Sequence, residues 1–239
     1  MAPKFKGRSP FGFTLLELLI VLAVMGLMMG LIGFSLLGGG GAELGAAQRE
    51  LLGYVQQART RAALSASETR LVVNNDENDE DKYHRYVELL VKDTCSTNSD
   101  QISWLIMGEG MYLTDGIYFI PSDESKSKTS EENWKSDAFT IWSNSDEEFK
   151  LQDSFKGKRK EGGETSFMYL AFNELGNVVF PDSSNDSGVP KAPRLVLGVG
   201  APNPVDENEP LRFDNPNAIS GILFRRYGGF AVLELDDFE

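Results

Sequence analysis

PFGFTLLELLIVLAVMGLMMGLIGF, residues 10–34, is the stretch on which the reading of the chain turns. Residues 13–37 carry a single charge, Glu17. At about 1.5 Å of rise per residue, a helix over them would cross a hydrocarbon core of about 30 Å with some tilt. Lys4, Lys6 and Arg8 precede the run with no acid among them. That basic flank predicts a cytoplasmic N-terminus and export of everything after residue 37. A carboxylate at the centre of a membrane helix costs up to about 3 kcal/mol, and less near an end, so Glu17 calls for a reason. A cleaved secretory signal has an apolar region of about 7–15 residues and a small-residue cleavage site. The run is longer than that, although the glycines after residue 37 keep the reading open. A simple signal anchor fits the length and the flank but gives the glutamate no role.

The residues Gly12-Phe13-Thr14-Leu15-Leu16-Glu17, behind a short basic leader and ahead of an apolar run, resemble the processing signature of type IV pilins and type II secretion pseudopilins. The resemblance implies that a prepilin peptidase cuts between Gly12 and Phe13 and methylates Phe13. It implies further that Glu17 neutralises the terminal amine of a neighbouring subunit during filament assembly. A buried charge left alone is strongly unfavourable, whereas a well-paired one is tolerable and can fix register. The positive end of the helix dipole also favours a carboxylate near the start. Ala23, Gly26, Gly30 and Gly33 recur every three or four residues and form one small-residue stripe, with Gly26 and Gly30 as a GxxxG pair. Two readings of it stand: close helix packing, or the ordinary abundance of glycine in membrane helices.

Residues 38–41 are four glycines, each costing about 1 kcal/mol of helix propensity relative to alanine. A weak point is expected there, as a hinge or a passive linker. Beyond it, Leu44, Gln48, Leu51, Val55, Ala58 and Ala62 fall on one helical face, apolar except for Gln48, with Arg49, Gln56 and Thr60 outward. After residue 68 the pattern changes to short β-rich runs. Strands are expected near 70–73, 85–91, 103–107, 116–120, 138–142, 167–172, 177–180, 194–199, 219–226 and 230–235, the last two joined by a tight turn at Gly228-Gly229. Polar stretches at 74–82, 122–137 and 181–193 read as surface loops or insertions.

Composition and motifs argue against several functions. The 239 residues hold 36 acids against 23 bases, a net charge of -13, which repels nucleic acid. The lone cysteine, Cys95, permits no intrachain disulfide. His84 is the only histidine, so two-histidine metal sites cannot be built, and it reads as a surface residue on a strand edge. No GxSxG, GxxxxGK or CxxC motif occurs. Asp76, Glu77, Asp79, Glu80 and Asp81 invite a calcium site but lack the glycine of a tight cation loop. Lys156, Lys158, Arg159 and Lys160 form a local basic run, and Trp134 and Phe155 are candidate contact aromatics. No catalytic residue, cofactor or metal is expected.

The expectation is therefore an α+β, pilin-like fold: a long N-terminal helix, membrane-spanning in its first half, packed on an antiparallel β-sheet domain. Its parts are a leader at 1–12, a transmembrane or filament-core helix at 13–37, a glycine hinge and amphipathic helix at 38–67, and a periplasmic β-rich domain at 68–239. The segments FMYLAFNELGNVVF, PRLVLGVG and ISGILFRRYGGFAVL look like the C-terminal part of the H-type minor pseudopilins. That resemblance implies a minor subunit of a type II secretion pseudopilus. Its partners would be other pseudopilins, prepilin peptidase, an inner-membrane assembly platform and, before assembly, membrane lipid; it would be a single-pass inner-membrane protein. The alternatives are a type IV pilus minor pilin or a signal-anchored periplasmic binding domain that never polymerises.

Overall fold

The computed structural model describes residues 15–93, 104–122, 127–129, 138–143, 149–151, 165–181, 191–205, 209–213 and 215–238, with the backbone alone described at 26–40, 127–129, 149–151 and 165. The chain divides into two compact units, Met1–Gly39 and Gly40–Glu239.

Helix α1 is Leu15–Ser65. Alanine, leucine, glutamine and arginine dominate its last two dozen residues, all good helix formers, and no proline interrupts them. The glycines at 38–41 do not end it, although the boundary between the two units falls among them. What ends it is a left-handed residue: Ala66 has φ 47°, and the Ser67 N–H turns back to the Ala62 carbonyl at 3.3 Å, a Schellman-type cap.

Within the unit Gly40–Glu239 this helix buries Leu44, Ala47, Leu51, Val55, Ala58 and Ala62, spaced by three and four residues as one helical face requires. Gln48 borders that face and donates from Nε2 to the Gly221 carbonyl at 2.8 Å. The amide thus answers a backbone acceptor at a sheet rather than a side chain. Arg49, Gln56 and Thr60 are exposed.

Two antiparallel sheets meet this face. The first runs β3 (Trp104–Ile106), β2 (Tyr86–Lys92), β1 (Thr69–Asn74), β8 (Thr165–Phe172) and β7 (Phe149–Leu151), with β4 (Met111–Tyr112) also on β2. The second runs β13 (Phe230–Leu233), β12 (Ile219–Phe224), β9 (Arg194–Val199) and β5 (Ile117–Phe119). Leu71, Val73, Leu170 and Phe172 from the first and Leu195, Leu197, Ile222 and Phe224 from the second close one core with the helix. The opposite face of the first sheet is buried too, at Val72, Leu90, Trp104 and Phe167, which explains why β1 and β2 read as apolar runs rather than clean alternations. There Arg70 lies 4.2 Å from the centres of both the Trp104 and Tyr169 rings and is paired with Glu68 at 2.7 Å. A third sheet, β10 (Ala201–Pro202), β11 (Leu211–Phe213) and β6 (Ser127–Thr129), contains a parallel pair, β11 with β6.

The β12–β13 hairpin turns at Arg225–Gly228. The Gly228 N–H reaches the Arg225 carbonyl, and the Arg225 N–H returns to the Gly229 carbonyl. Gly228 has φ +80°, so this is a type I turn closed by a glycine bulge.

The structure corrects the expected fold class. In place of a pilin-like helix on one antiparallel sheet domain, the described residues form three sheets, one of them mixed. Strand patterns reveal which runs are extended but not which sheet each joins, because pairing partners lie far apart in sequence. Two expected strands are reduced to single bridges, Ile141 with Arg194 and Val178 with Phe172. The membrane-spanning half and the single-pass inner-membrane localisation are corrected as well. Among the described residues no helix is long and apolar enough to cross a membrane.

Candidate assembly surface

At the start of α1, Glu17 occupies the first turn, where the backbone N–H groups carry the positive end of the dipole. Around it the apolar side chains lie in the open. Leu15 is 83% exposed, and Leu16, Leu18, Leu19, Ile20, Val21, Leu22, Val24 and Met25 range from about half to two-thirds exposed. Ala23 shares this exposed segment. A single exposed leucine is unremarkable in any protein, but a run of exposed apolar side chains broken only by Glu17 is a candidate docking surface. Gly12 and Phe13 lie outside the described residues. Gly26, Gly30 and Gly33 belong to the helix backbone, and the packing around them lies outside the described residues. The structure thus places Glu17 and Ala23 on one exposed helical segment and does not describe the rest of the expected site.

The other candidate residues sit in Gly40–Glu239. His84 is not a surface residue: it is 2% exposed, with φ 52°. The turn after β1 folds it back between the sheets, where its N–H meets the Asn74 carbonyl and its own carbonyl accepts from the Phe119 N–H. The ring lies with Nδ1 3.2 Å from the Phe119 carbonyl and Nε2 2.8 Å from the Asn75 side-chain amide. Burial lowers its pKa to about 4, against a smaller opposing effect of the Phe119 carbonyl, so the imidazole is neutral at pH 7. Both ring nitrogens face oxygens, the Phe119 carbonyl and Asn75 Oδ1, and the neutral ring donates to one of the two. This is a structural histidine joining β5 to the turn after β1. No sequence signal distinguished it, because DKYHRY has the polarity of any surface turn.

The acidic run folds as turns closed by its own side chains: Asn74 Oδ1 accepts from the Asp76 N–H at 2.9 Å, Asp76 Oδ1 from the Asn78 N–H at 3.1 Å, and Lys82 pairs with Asp79 at 3.0 Å. Among the described residues no group of His, Cys, Asp and Glu is arranged to hold a metal ion. Cys95, the basic run 156–160, Trp134 and Phe155 lie outside the described residues.

Three features were missed by sequence reading. Tyr86 donates to the Glu88 carboxylate at 2.7 Å, and burial followed by that carboxylate raises the phenol pKa. Arg59 donates from Nε to the Gly176 carbonyl at 3.1 Å and packs beside Gly228, so the helix is tied to two turns at once. An open cavity of about 560 Å³ is lined by Asp81, Arg85, Tyr112, Leu113, Thr114 and Asp115, with Arg85 paired to Asp115 at 2.5 Å. None shows in a motif: the Tyr86–Glu88 pair is two residues apart but depends on the burial of one sheet face, and the other two depend on residues brought together from distant parts of the chain. Comparison with known proteins yields no matching family model, no matching curated protein and no matching solved structure.

Proposed function

We propose that the chain is a pseudopilin-type filament subunit, cut between Gly12 and Phe13 by a prepilin peptidase, methylated at Phe13, and assembled with other pseudopilins for protein secretion. It acts by assembly and not by catalysis. The observation that supports this reading is the exposed apolar surface of residues 15–25 with one carboxylate in its first turn. Burying those side chains against neighbouring helices contributes on the order of 10 kcal/mol, enough to drive association. Glu17, carried into that apolar contact, is tolerated only opposite a cation, and the new amine of Phe13 on the adjoining subunit supplies one. The small side chain of Ala23 lets a second helix approach on the same segment.

N-terminal sequencing of the protein from cells tests the cut. A chain starting at methylated Phe13 supports the proposal, and one that retains residues 1–12 refutes it. Glu17→Ala is expected to be processed normally but to enter filaments poorly. Normal incorporation of that variant would rule out the pairing.

A further inference from the structure

The unit Gly40–Glu239 is electrically polarised along its strands. Phe172 pairs with Thr69, so the turn after β8, with Leu175 at its tip, lies at the Thr69 end of the first sheet. Arg59 binds the Gly176 carbonyl of that turn, and Gly228 packs against the same guanidinium, which brings the Arg225–Gly228 turn to this end as well. Among the described residues this pole carries Arg59, Lys92, Arg225 and Arg226 with three acids, Glu68, Asp93 and Glu174. Two apolar side chains stand out in water on it, Leu175 at 77% and Tyr227 at 89% exposure. Arg226 is held over the Phe180 ring at 5.5 Å.

The other end of β1 is Asn74, which leads into the acidic turn with Glu77, Glu80 and Asp81 exposed. The Arg85–Asp115 pair and the contact of His84 with Phe119 bring the start of β2 and both ends of β5 to the same pole. Here lies the cavity of about 560 Å³ between Asp81, Tyr112 and Asp115. Asp115 is 99% exposed despite its pairing with Arg85. An ion pair so open to water is worth little, so the carboxylate can be shared with a second cation. Six strand residues, about 20 Å, separate the two poles along β1.

We propose that two copies of this chain meet head to tail through these poles, with Arg226 and Tyr227 of one copy entering the cavity between Asp81 and Asp115 of the next. Charge complementarity selects the occupant: in a chain of net charge -13, copies repel on average, and among the described residues the Arg225–Arg226 turn and the Asp81–Asp115 cavity offer unlike charges to each other. Because the poles are at opposite ends, the contact is heterologous and does not close on two copies. It propagates as a row. The inference rests on the unit Gly40–Glu239 and does not require the N-terminal cut.

The test is sedimentation of the full chain in detergent at low and physiological salt, as wild type, Arg226→Glu, Asp115→Arg, the double variant, and an equal mixture of the two single variants. Wild type is expected to self-associate, more weakly as salt rises. Each reversal is expected to weaken association about tenfold, the loss of a contact of about 1.4 kcal/mol. The double variant and the mixture should regain it, because each restores opposite charges across the contact. Tyr227→Ala, at a position too exposed to affect folding, should weaken association by a similar factor. A wild type that stays monomeric, or association unchanged by Arg226→Glu or by Tyr227→Ala, overturns the proposal, as does a mixture that fails to regain it. Neither result alters the N-terminal sequence or the behaviour of Glu17→Ala, so the filament reading stands or falls separately.

Discussion

Alanine at Gly176 and at Gly228 should have different costs, and the difference reports on how α1 is locked to its sheets. Both glycines lie in the left-handed region, at φ 73° and 80°, where alanine is strained by about 1–2 kcal/mol. At Gly176 a new Cβ would stand 2.9 Å from the Arg59 carbonyl oxygen, which is backbone inside a helix and moves only if the helix or turn moves. Overpacking of that kind adds about 1–3 kcal/mol, for a total of about 3 kcal/mol. At Gly228 the Cβ meets the Arg59 guanidinium, the mobile end of a long side chain. Arg59 swings away, losing its bond to the Gly176 carbonyl, so about 1 kcal/mol is added to the backbone strain. In an Arg59→Ala background the cost of Gly228→Ala should therefore fall by about 1 kcal/mol. Gly176→Ala should keep nearly its full cost, because alanine at 59 retains the carbonyl. Urea unfolding of the full chain followed by tryptophan fluorescence measures all of these, and for a unit of this size 3 kcal/mol corresponds to about 6–12 °C in Tm. A Gly228→Ala cost unaffected by Arg59→Ala would refute the lock, as would a Gly176→Ala cost that vanishes with it.

Two further perturbations test the core. The His84 pKa is about 4 in the folded chain and about 6.5 unfolded, so the unfolded state binds the proton more readily. Stability from the neutral ring is complete above pH 6.5 and is lost as pH falls toward 4, by about 3 kcal/mol. His84→Asn, which tolerates φ 52°, should flatten that part of the pH profile; a variant that loses as much stability as wild type between pH 7 and 4.5 would show that His84 is not the source. Leu51→Ala, at a fully buried position between the two sheets, should cost about 2–5 kcal/mol, and Leu64→Ala, 77% exposed on the same helix, less than about 0.5 kcal/mol; equal unfolding midpoints would contradict the docking face.

Periodicity exposed the parts of this fold that are local. The face of α1 follows from spacings of three and four, and only Ala47 escaped notice, because alanine contributes little to an apolar pattern. Strand β9 was found at its observed limits, Arg194–Val199, since a fully buried strand is a continuous apolar run. Nothing in the sequence shows that β9 joins β12 and β5 while β8 joins β1. That choice is made by the packing of both sheets on one helix. The short strands β4, β6, β7, β10 and β11 went unseen, β6 inside the stretch 122–137 read as a loop, because two or three residues are too few to establish a period by themselves. The reading of His84 failed for a different reason. Its neighbours Asp81, Lys82 and Arg85 are polar, and only the left-handed backbone at His84 itself carries the ring inward.

The same contrast governs the functional surfaces. Glu17 is legible because its signal is local: a carboxylate among apolar residues has a definite energetic consequence that any reader of the sequence can estimate. The Arg59–Arg226 pole and the Asp81–Asp115 cavity are built from residues more than thirty positions apart, and their charge pattern emerges only once the register of β1 with β8 fixes which turns share an end. Net charge concealed it further. A chain at -13 reads as uniformly acidic, yet among the described residues the sheet register places Arg59, Arg225 and Arg226 at one end and the acidic turn with Asp115 at the other. The overall repulsion between copies then becomes useful, because it sharpens the preference for the orientation in which unlike poles meet.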